Sequence, residues 1–181
     1  MGKALSGIQW EPFTFEEQEY DLSHLHPYII THVIEAKGKN PRREFRLNVS
    51  YSLHCFTRNP KYDEEISDDL AYSDSREKRI FCFERWELSM KLPEIIRTLQ
   101  QRRCLHTGSE EFVTIEVVHK GRTFDYAVFF TVSKARKAEG AEINLFINSA
   151  HERFNELVYK KPINFNIILI NKYLKKPIKK P

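Results

Sequence analysis

Three runs of alternating apolar and polar residues follow one another in the second half of the chain, over 112–118, 124–132 and 143–150. In the middle run both alternating sets of positions are largely apolar, which is typical of a strand at the centre of a sheet. Gly121 offers a tight turn between the first two runs, and residues 134–140 connect the second to the third. Connections this short predict an antiparallel meander, because a parallel pair needs a crossover of about a dozen residues or more.

The rest of the chain predicts further strands and a helix. β-Branched residues predict a strand over 28–36, and the clearest alternation in the chain predicts another over 45–55. From Leu92 the apolar residues are three and four apart, with a proline in the first turn, so we predict a helix that ends near Arg103. Residues 163–170 alternate at their start and are apolar at their end, and we predict a strand there.

These elements predict a single α+β domain over residues 1–171: a curved antiparallel sheet of five to seven strands, with one main helix near 92–103 packed on a face. Residues 1–20 mix four glutamates with aromatic side chains and fit no period, so we expect an irregular arm. Residues 59–77 contain seven acidic and two basic residues, which predicts an exposed acidic loop. Residues 172–181 include five lysines and two prolines and are expected to form a solvated basic tail.

The charge is unevenly distributed. The formal net charge is +4, yet residues 151–181 alone contain eight Lys or Arg against two Asp or Glu. No apolar run approaches the roughly 20 residues that span a bilayer, and the start of the chain lacks the pattern of a secretory signal. We therefore expect a soluble, cytoplasmic protein without a membrane partner.

Cysteine and histidine spacing predicts no metal site and no other cofactor. Cys55, Cys82 and Cys104 are odd in number and widely separated, which favours small buried side chains over a disulfide framework or a zinc site. His24 and His26 could share one face of a strand, but no further ligand stands at a supporting spacing.

Two histidines and two arginines are candidates for acid–base chemistry on a phosphate. His54 and Arg58 lie at the end of the 45–55 alternation, and His151 and Arg153 follow the last strand of the meander. Histidine transfers protons near neutral pH, and arginine binds phosphate oxygens in pairs. The structural alternatives are the polar, solvent-facing side of a sheet for the first pair and a charged strand end with a local ion pair for the second.

Basic residues provide a second set of candidates, for binding nucleic acid. A flexible lysine-rich end neutralises phosphates without a fixed geometry, although it can also serve only to keep a terminus soluble. The candidates are Arg46, Lys172, Lys175, Lys176, Lys179 and Lys180.

Residues 92–153 combine a helix, three antiparallel strands and a strand-end His and Arg, and they resemble the C-terminal half of the RelE/ParE toxin superfamily. The resemblance implies small proteins that cut ribosome-bound mRNA or poison gyrase, with basic and aromatic residues at their strand ends. The chain also has the general look of bacterial proteins of similar length.

Two functional hypotheses follow. The first is a nucleic-acid-binding protein, with RNA as the favoured ligand, extended to a metal-independent endoribonuclease of toxin type that uses His54, Arg58, His151 and Arg153. The second is a non-enzymatic interaction module whose acidic loop and aromatic arm bind a protein partner. Nucleic-acid binding should weaken steeply with salt, whereas aromatic contacts to a protein should not.

Overall fold

The computed structural model describes residues 7–108, 111–136, 140–154 and 161–178. The strands, in chain order, are β1 (Phe13–Phe15), β2 (Gln18–Tyr20), β3 (Tyr28–Ile34), β4 (Arg43–Tyr51), β5 (Thr57–Arg58), β6 (Ala71–Ser73), β7 (Lys78–Phe81), β8 (Cys104–His106), β9 (Glu111–Lys120), β10 (Arg122–Lys134) and β11 (Ile143–Arg153). The helices are α1 (Phe83–Ser89), α2 (Leu92–Arg97) and α3 (Phe165–Tyr173). Within these residues no helix is long and apolar enough to cross a membrane.

Six strands form the main sheet, in the order β3-β4-β11-β10-β9-β8. Four of the neighbouring pairs are antiparallel, whereas β4 and β11 run parallel, with Leu47 beside Ile143 and Tyr51 beside Ile147. Two small antiparallel sheets, β1-β2 and β5-β7-β6, complete the fold. The predicted α+β class and strand number are confirmed, and the one parallel pair is an addition to the predicted antiparallel arrangement.

One face of the main sheet carries the core. Alternation along β4 and β10 places apolar side chains on this face, where Leu47, Val49, Val128 and Phe130 are 2% exposed or less. Helices α1 and α3 contact the sheet, and residues of α2 belong to the same buried cluster. The core is therefore a sheet with helices on one side, as in other α+β folds.

A β-bulge lets β11 follow its neighbour despite a break in alternation. The register shifts between Phe129, which pairs with Ser149, and Phe130, which pairs with Ile147, so that Asn148 is the extra residue. Because of this extra residue, both Ile147 and Ala150 are buried although they are three positions apart.

The strand predicted over 163–170 is wrong, because α3 occupies this segment. The Asn164 side chain accepts a hydrogen bond from the Asn166 backbone N–H and so caps the first turn. Phe165, Ile168 and Leu169 are three and four apart and fully buried, which is helical spacing. Burial of this face outweighed the strand preference of the isoleucines.

The irregular arm predicted for residues 1–20 is also wrong within the described part, because β1 and β2 form a short hairpin. Glu16 and Glu17 make its turn with positive φ angles of 48° and 66°. Phe13 and the preceding Trp10 are buried. The aromatic side chains of this N-terminal segment are therefore part of the core.

The predicted helix and the predicted acidic loop each contain more secondary-structure elements than expected. The helix begins at Leu92 as predicted, but α2 ends at Arg97 and is followed by a 3₁₀ turn, and α1 precedes it. The acidic loop 59–77 is exposed over most of its length, yet it contains β6 and a 3₁₀ turn at Asp68–Leu70.

The two faces of the sheet can be tested with one pair of substitutions. Val128→Asp places an unpaired charge at a fully buried position, whereas Val117→Asp places it where the side chain is 53% exposed. We expect Val128→Asp to destabilise the protein by about 4 kcal/mol or more and to leave it unfolded, and Val117→Asp to cost less than about 1 kcal/mol. Circular dichroism without denaturant shows whether each variant folds, and urea unfolding gives the stability of a variant that does. Equal stability of the two variants would contradict the assignment of faces.

Candidate nucleic-acid interface

The C-terminal end of α3, the start of β4 and the end of β10 meet at one end of the main sheet. Tyr173 of α3 lies over Phe45 of β4, with ring centroids 5.3 Å apart, and the Lys134 Nζ of β10 lies 4.7 Å from the Tyr173 centroid. A cation over an aromatic face is attracted to it electrostatically. These contacts fix the C-terminal end of α3 on the sheet, and with it the position of the lysines that follow Tyr173.

Seven basic residues gather at this end of the sheet, and we refer to them as the basic end. They are Arg43, Arg46, Lys134, Arg136, Lys172, Lys175 and Lys176. All of them are exposed except Lys172, which is half-buried.

The acidic residues nearby are already engaged. Glu142 accepts a hydrogen bond from the Arg46 backbone N–H at 3.1 Å. Glu44 forms an ion pair with Arg42 at 2.5 Å, and Glu35 lies 3.7 Å from the same guanidinium. Seven basic residues against these three carboxylates give the basic end a local excess of positive charge.

Of the six residues predicted to bind nucleic acid, four lie in the basic end: Arg46, Lys172, Lys175 and Lys176. Lys179 and Lys180 lie outside the described residues. The prediction of a solvated tail from residue 172 onward is wrong in part, because Tyr173 and Ile178 pack against the core cluster.

His54 and Arg58 are each paired with a carboxylate. Strand β4 ends before His54, which lies in a 3₁₀ turn and whose Nε2 is 2.6 Å from the Glu77 Oε1. Arg58 in β5 donates two hydrogen bonds to the Glu64 carboxylate, at 2.6 and 2.7 Å. These two bonds are the main reason that the pKa of Glu64 falls to about 2.

His151 and Arg153 lie in β11, where Ala127 and Asp125 of β10 are their respective neighbours. The His151 Nδ1–H donates to the Glu152 carbonyl at 3.0 Å, and its ring stacks on Phe129 with centroids 5.5 Å apart. Burial is the main cause that lowers the pKa of His151, which favours the neutral imidazole at pH 7.

Arg85, which the sequence analysis did not single out, lies between these groups. Its Nη1 donates to the carbonyls of His54 and Thr57, at 3.2 and 2.7 Å, and its positive charge contributes to the lowered pKa of His151. His54, Arg58 and His151 each have partners other than one another. Arg85 therefore connects the turn that contains His54 with His151, and no local sequence pattern marks this helix position.

A second arginine missed in the sequence organises the small three-stranded sheet. Arg79 in β7 is 5% exposed, and its Nε donates to the Thr57 Oγ1 at 2.8 Å. Its Nη1 donates to Asn59 and to the Glu77 Oε2, so that it also holds the carboxylate that pairs with His54. This network ties β5 to β7, and it accounts for the His54 environment without a ligand.

The polar side predicted for the 45–55 alternation is not solvent-facing beyond Arg46. Asn48, Ser50 and Ser52 are 0%, 7% and 5% exposed. Asn48 donates to the Asn144 side chain at 3.2 Å. Gly7 packs so closely on Ser50 that an added Cβ would lie 2.7 Å from the Ser50 Cβ. Neighbouring segments, which alternation cannot reveal, bury this side of β4.

His24 and His26 make structural hydrogen bonds. Their Nε2 atoms lie 2.7 Å from the Ser89 hydroxyl and 2.9 Å from the Trp10 carbonyl oxygen. In the described part of the chain, no three His, Cys, Asp or Glu residues are placed to hold a metal ion. Cys55 and Cys104 are buried, as predicted, whereas Cys82 is only half-buried. Burial raises the pKa of the Cys55 and Cys104 thiols to about 12.

The fold and the basic end define an α+β protein with a mixed sheet and a charged surface at one end of it. The model of the YjaZ family matches residues 12–173, so the chain belongs to the YjaZ family. It is similar to Protein YjaZ of Escherichia coli (strain K12), with 31% identity over 176 residues that cover 96% of each chain. No solved structure matches the chain. The resemblance of residues 92–153 to the RelE/ParE superfamily stays a prediction.

The structural role of Arg79 can be tested against Arg76, which is 62% exposed and paired with Asp74. Arg79→Ala removes a buried side chain and leaves Thr57 and Asn59 without their donor, so we expect a loss of about 2 to 4 kcal/mol. Arg76→Ala should cost less than about 1 kcal/mol. Denaturant unfolding checks the difference, and a neutral Arg79→Ala would show that the network is not needed for stability.

Two truncations test whether the basic end is docked. A chain that ends at Lys172 lacks the packing of Tyr173 and Ile178 on the core, and we expect it to be destabilised by about 1 to 3 kcal/mol. A chain that ends at Ile178 keeps both side chains and should melt at the temperature of the full chain. Thermal unfolding measures both. If the chain ending at Lys172 also keeps its melting temperature, the α3 end contributes no stability.

Proposed function

We propose that this protein binds nucleic acid, with single-stranded RNA as the favoured ligand, through the basic end. The observation that carries the proposal is that seven basic residues from β4, the end of β10 and the end of α3 lie at the end of the sheet where Tyr173 packs on Phe45. They come from three segments that are far apart in the sequence. Only the fold places them together.

The physical basis is neutralisation of phosphate charge. Lysine and arginine side chains displace the cations condensed on a nucleic acid, and this release drives binding without sequence specificity. Tyr173 adds a partly exposed ring beside these cations, and nucleic-acid bases stack on such rings. Exposed cations next to an aromatic side chain suit a single strand, whose bases are accessible.

Binding does not require cleavage. His54 and Arg58 are held by carboxylates, and His151 is bound to a backbone carbonyl and to Phe129. We also keep the prediction of a metal-independent endoribonuclease activity that uses His54, Arg58, His151 and Arg153. The integrity of the RNA after incubation with the protein tests this prediction.

The test is the binding of a fluorescein-labelled oligouridine, measured by anisotropy from about 50 to 200 mM salt. We expect the triple variant Lys172→Gln, Lys175→Gln, Lys176→Gln to bind more weakly. The slope of log K against log salt should become shallower by about 0.7 for each phosphate that the variant no longer neutralises. Because glutamine keeps a long polar side chain but not its charge, the change isolates electrostatics.

The matched control removes three exposed lysines elsewhere: Lys61→Gln, Lys78→Gln, Lys91→Gln. This variant has the same net charge as the first, so it should bind like the unmodified protein if position matters. Equal losses of affinity in both variants would show a general charge effect, and the absence of binding by the unmodified protein at the lower salt would refute the proposal.

A further inference from the structure

A groove of about 600 Å³ lies far from the basic end, between the N-terminal segment and the small three-stranded sheet. One wall is formed by residues 8–14 and the other by residues 71–75, which include β6. The two walls are connected by the Tyr72 hydroxyl, which donates to the Glu11 carbonyl at 2.7 Å. A space of this size is within the range of ligand-binding pockets.

The β6 wall is an edge strand. In the order β5-β7-β6, β6 pairs with β7 only. The Asp74 N–H donates to the Glu77 carbonyl, so residues 74 and 77 are a hydrogen-bonded pair, and alternation makes Tyr72 and Arg79 the next such pair. The N–H and C=O of Ser73 between them therefore point away from β7, and Ser73 is itself one of the residues that line the groove.

The other wall contains a buried donor without an acceptor. Trp10 is 3% exposed, and its ring contacts Phe56 and Tyr72 with centroids 5.3 and 6.2 Å away. Its indole Nε1–H finds no hydrogen-bond partner among the described residues. A buried indole N–H normally has a partner, but this nitrogen has no accessible surface, so Trp10 contributes an aromatic wall to the groove and not a donor.

The surroundings of the groove are acidic. Residues 7–20 contain four glutamates and no Lys or Arg, and residues 59–77 contain seven acidic against two basic residues. Glu11 and Asp74 belong to the lining itself, and Asp74 is paired with Arg76. The remaining acidic excess disfavours a polyanion at this site and favours a positively charged occupant.

From these observations we propose that the groove binds an extended, lysine- or arginine-bearing peptide segment of a partner protein, which adds to the β6 edge as a further strand. The peptide backbone exchanges hydrogen bonds with the N–H and C=O of Ser73, and its side chains pack beside the Trp10 wall of the groove. Its basic side chains lie toward Glu11 and the acidic loop. Strand addition of this kind takes affinity from backbone bonds and specificity from side chains.

The experiment titrates the full chain, labelled with ¹⁵N, with an acetylated and amidated peptide of alternating lysine and valine. Amide and indole N–H resonances are followed by NMR. We expect the Ser73 amide and the Trp10 indole resonances to shift in a saturable way up to about 1 mM peptide. The Trp10 indole signal is assigned by its disappearance in Trp10→Phe. A peptide of alternating glutamate and valine should leave these resonances in place.

Two variants separate the backbone and charge contributions. Ser73→Pro removes the N–H that faces the groove but no hydrogen bond to β7, so the variant should keep its fold and lose peptide binding. Glu11→Lys should weaken binding by about fivefold, and it keeps the site testable if Ser73→Pro does not fold. The glutamine variant of Lys172, Lys175 and Lys176 should bind the peptide normally, which separates this site from the basic end.

Three results would overturn the proposal. The first is unmoved Ser73 and Trp10 resonances at millimolar lysine–valine peptide. The second is equal binding of the glutamate–valine peptide, and the third is unchanged affinity in Glu11→Lys. If oligouridine shifts the same resonances, the groove binds a different class of ligand, and the proposal is likewise overturned.

Discussion

The parallel pairing of β4 with β11 is the constraint on which the rest of the fold depends. It joins the β3-β4 hairpin to the meander of β8 to β11, so that all six strands bury one common face. Parallel neighbours cannot be joined by a tight turn, and here the intervening chain holds the small three-stranded sheet, α1 and α2. Phe81, Leu92 and Ile95 from this chain belong to the same buried cluster as the sheet. The connection thus supplies much of the core that stabilises the pairing.

Strand β4 also separates the two charged ends of the molecule. Arg43 begins it at the basic end, and from Arg43 to Tyr51 the strand rises about 26 Å at roughly 3.3 Å per residue. Beyond it, Phe56 contacts Trp10 in the wall of the acidic groove. A net charge of +4 therefore describes a molecule with opposite charges at its two ends. A polyanion is attracted to one end and repelled from the other, which gives it a preferred orientation.

Alternation along the chain predicted the long strands that pair with a strand close to them in the sequence. The runs at 112–118, 124–132 and 143–150 all lie within strands of the meander, and Gly121 makes the predicted turn with a φ of 65°. The start of α2 at Leu92 followed from apolar spacing and the adjacent proline. These features depend on side chains only a few residues apart, so a single sequence contains them.

The incorrect or missed predictions concern features that depend on partners far away in the sequence. Residues 163–170 contain isoleucines that suit a strand, and only the buried face of α3 made the helical spacing decisive. The burial of Asn48 and Ser50 arises from Asn144 and Gly7, which the alternation of β4 cannot show. Arg79 and Arg85 stand in unremarkable sequence, and their roles come from carbonyl and side-chain acceptors on other elements.

The same distinction applies to the candidate site. The lysines after residue 172 were recognisable from composition, but Lys134, Arg43 and Arg136 join them only because α3 docks on the sheet. Docking rests on buried side chains of α3 and on His32, whose Nε2–H donates to the Asn166 Oδ1 at 2.7 Å. Burial lowers the pKa of His32, so the docked state favours neutral imidazole. As pH falls below about 6.5, the unfolded chain takes up this proton more readily, and docking loses stability. Because the basic end is held by packing, its charge layout depends on the same contacts that stabilise the fold.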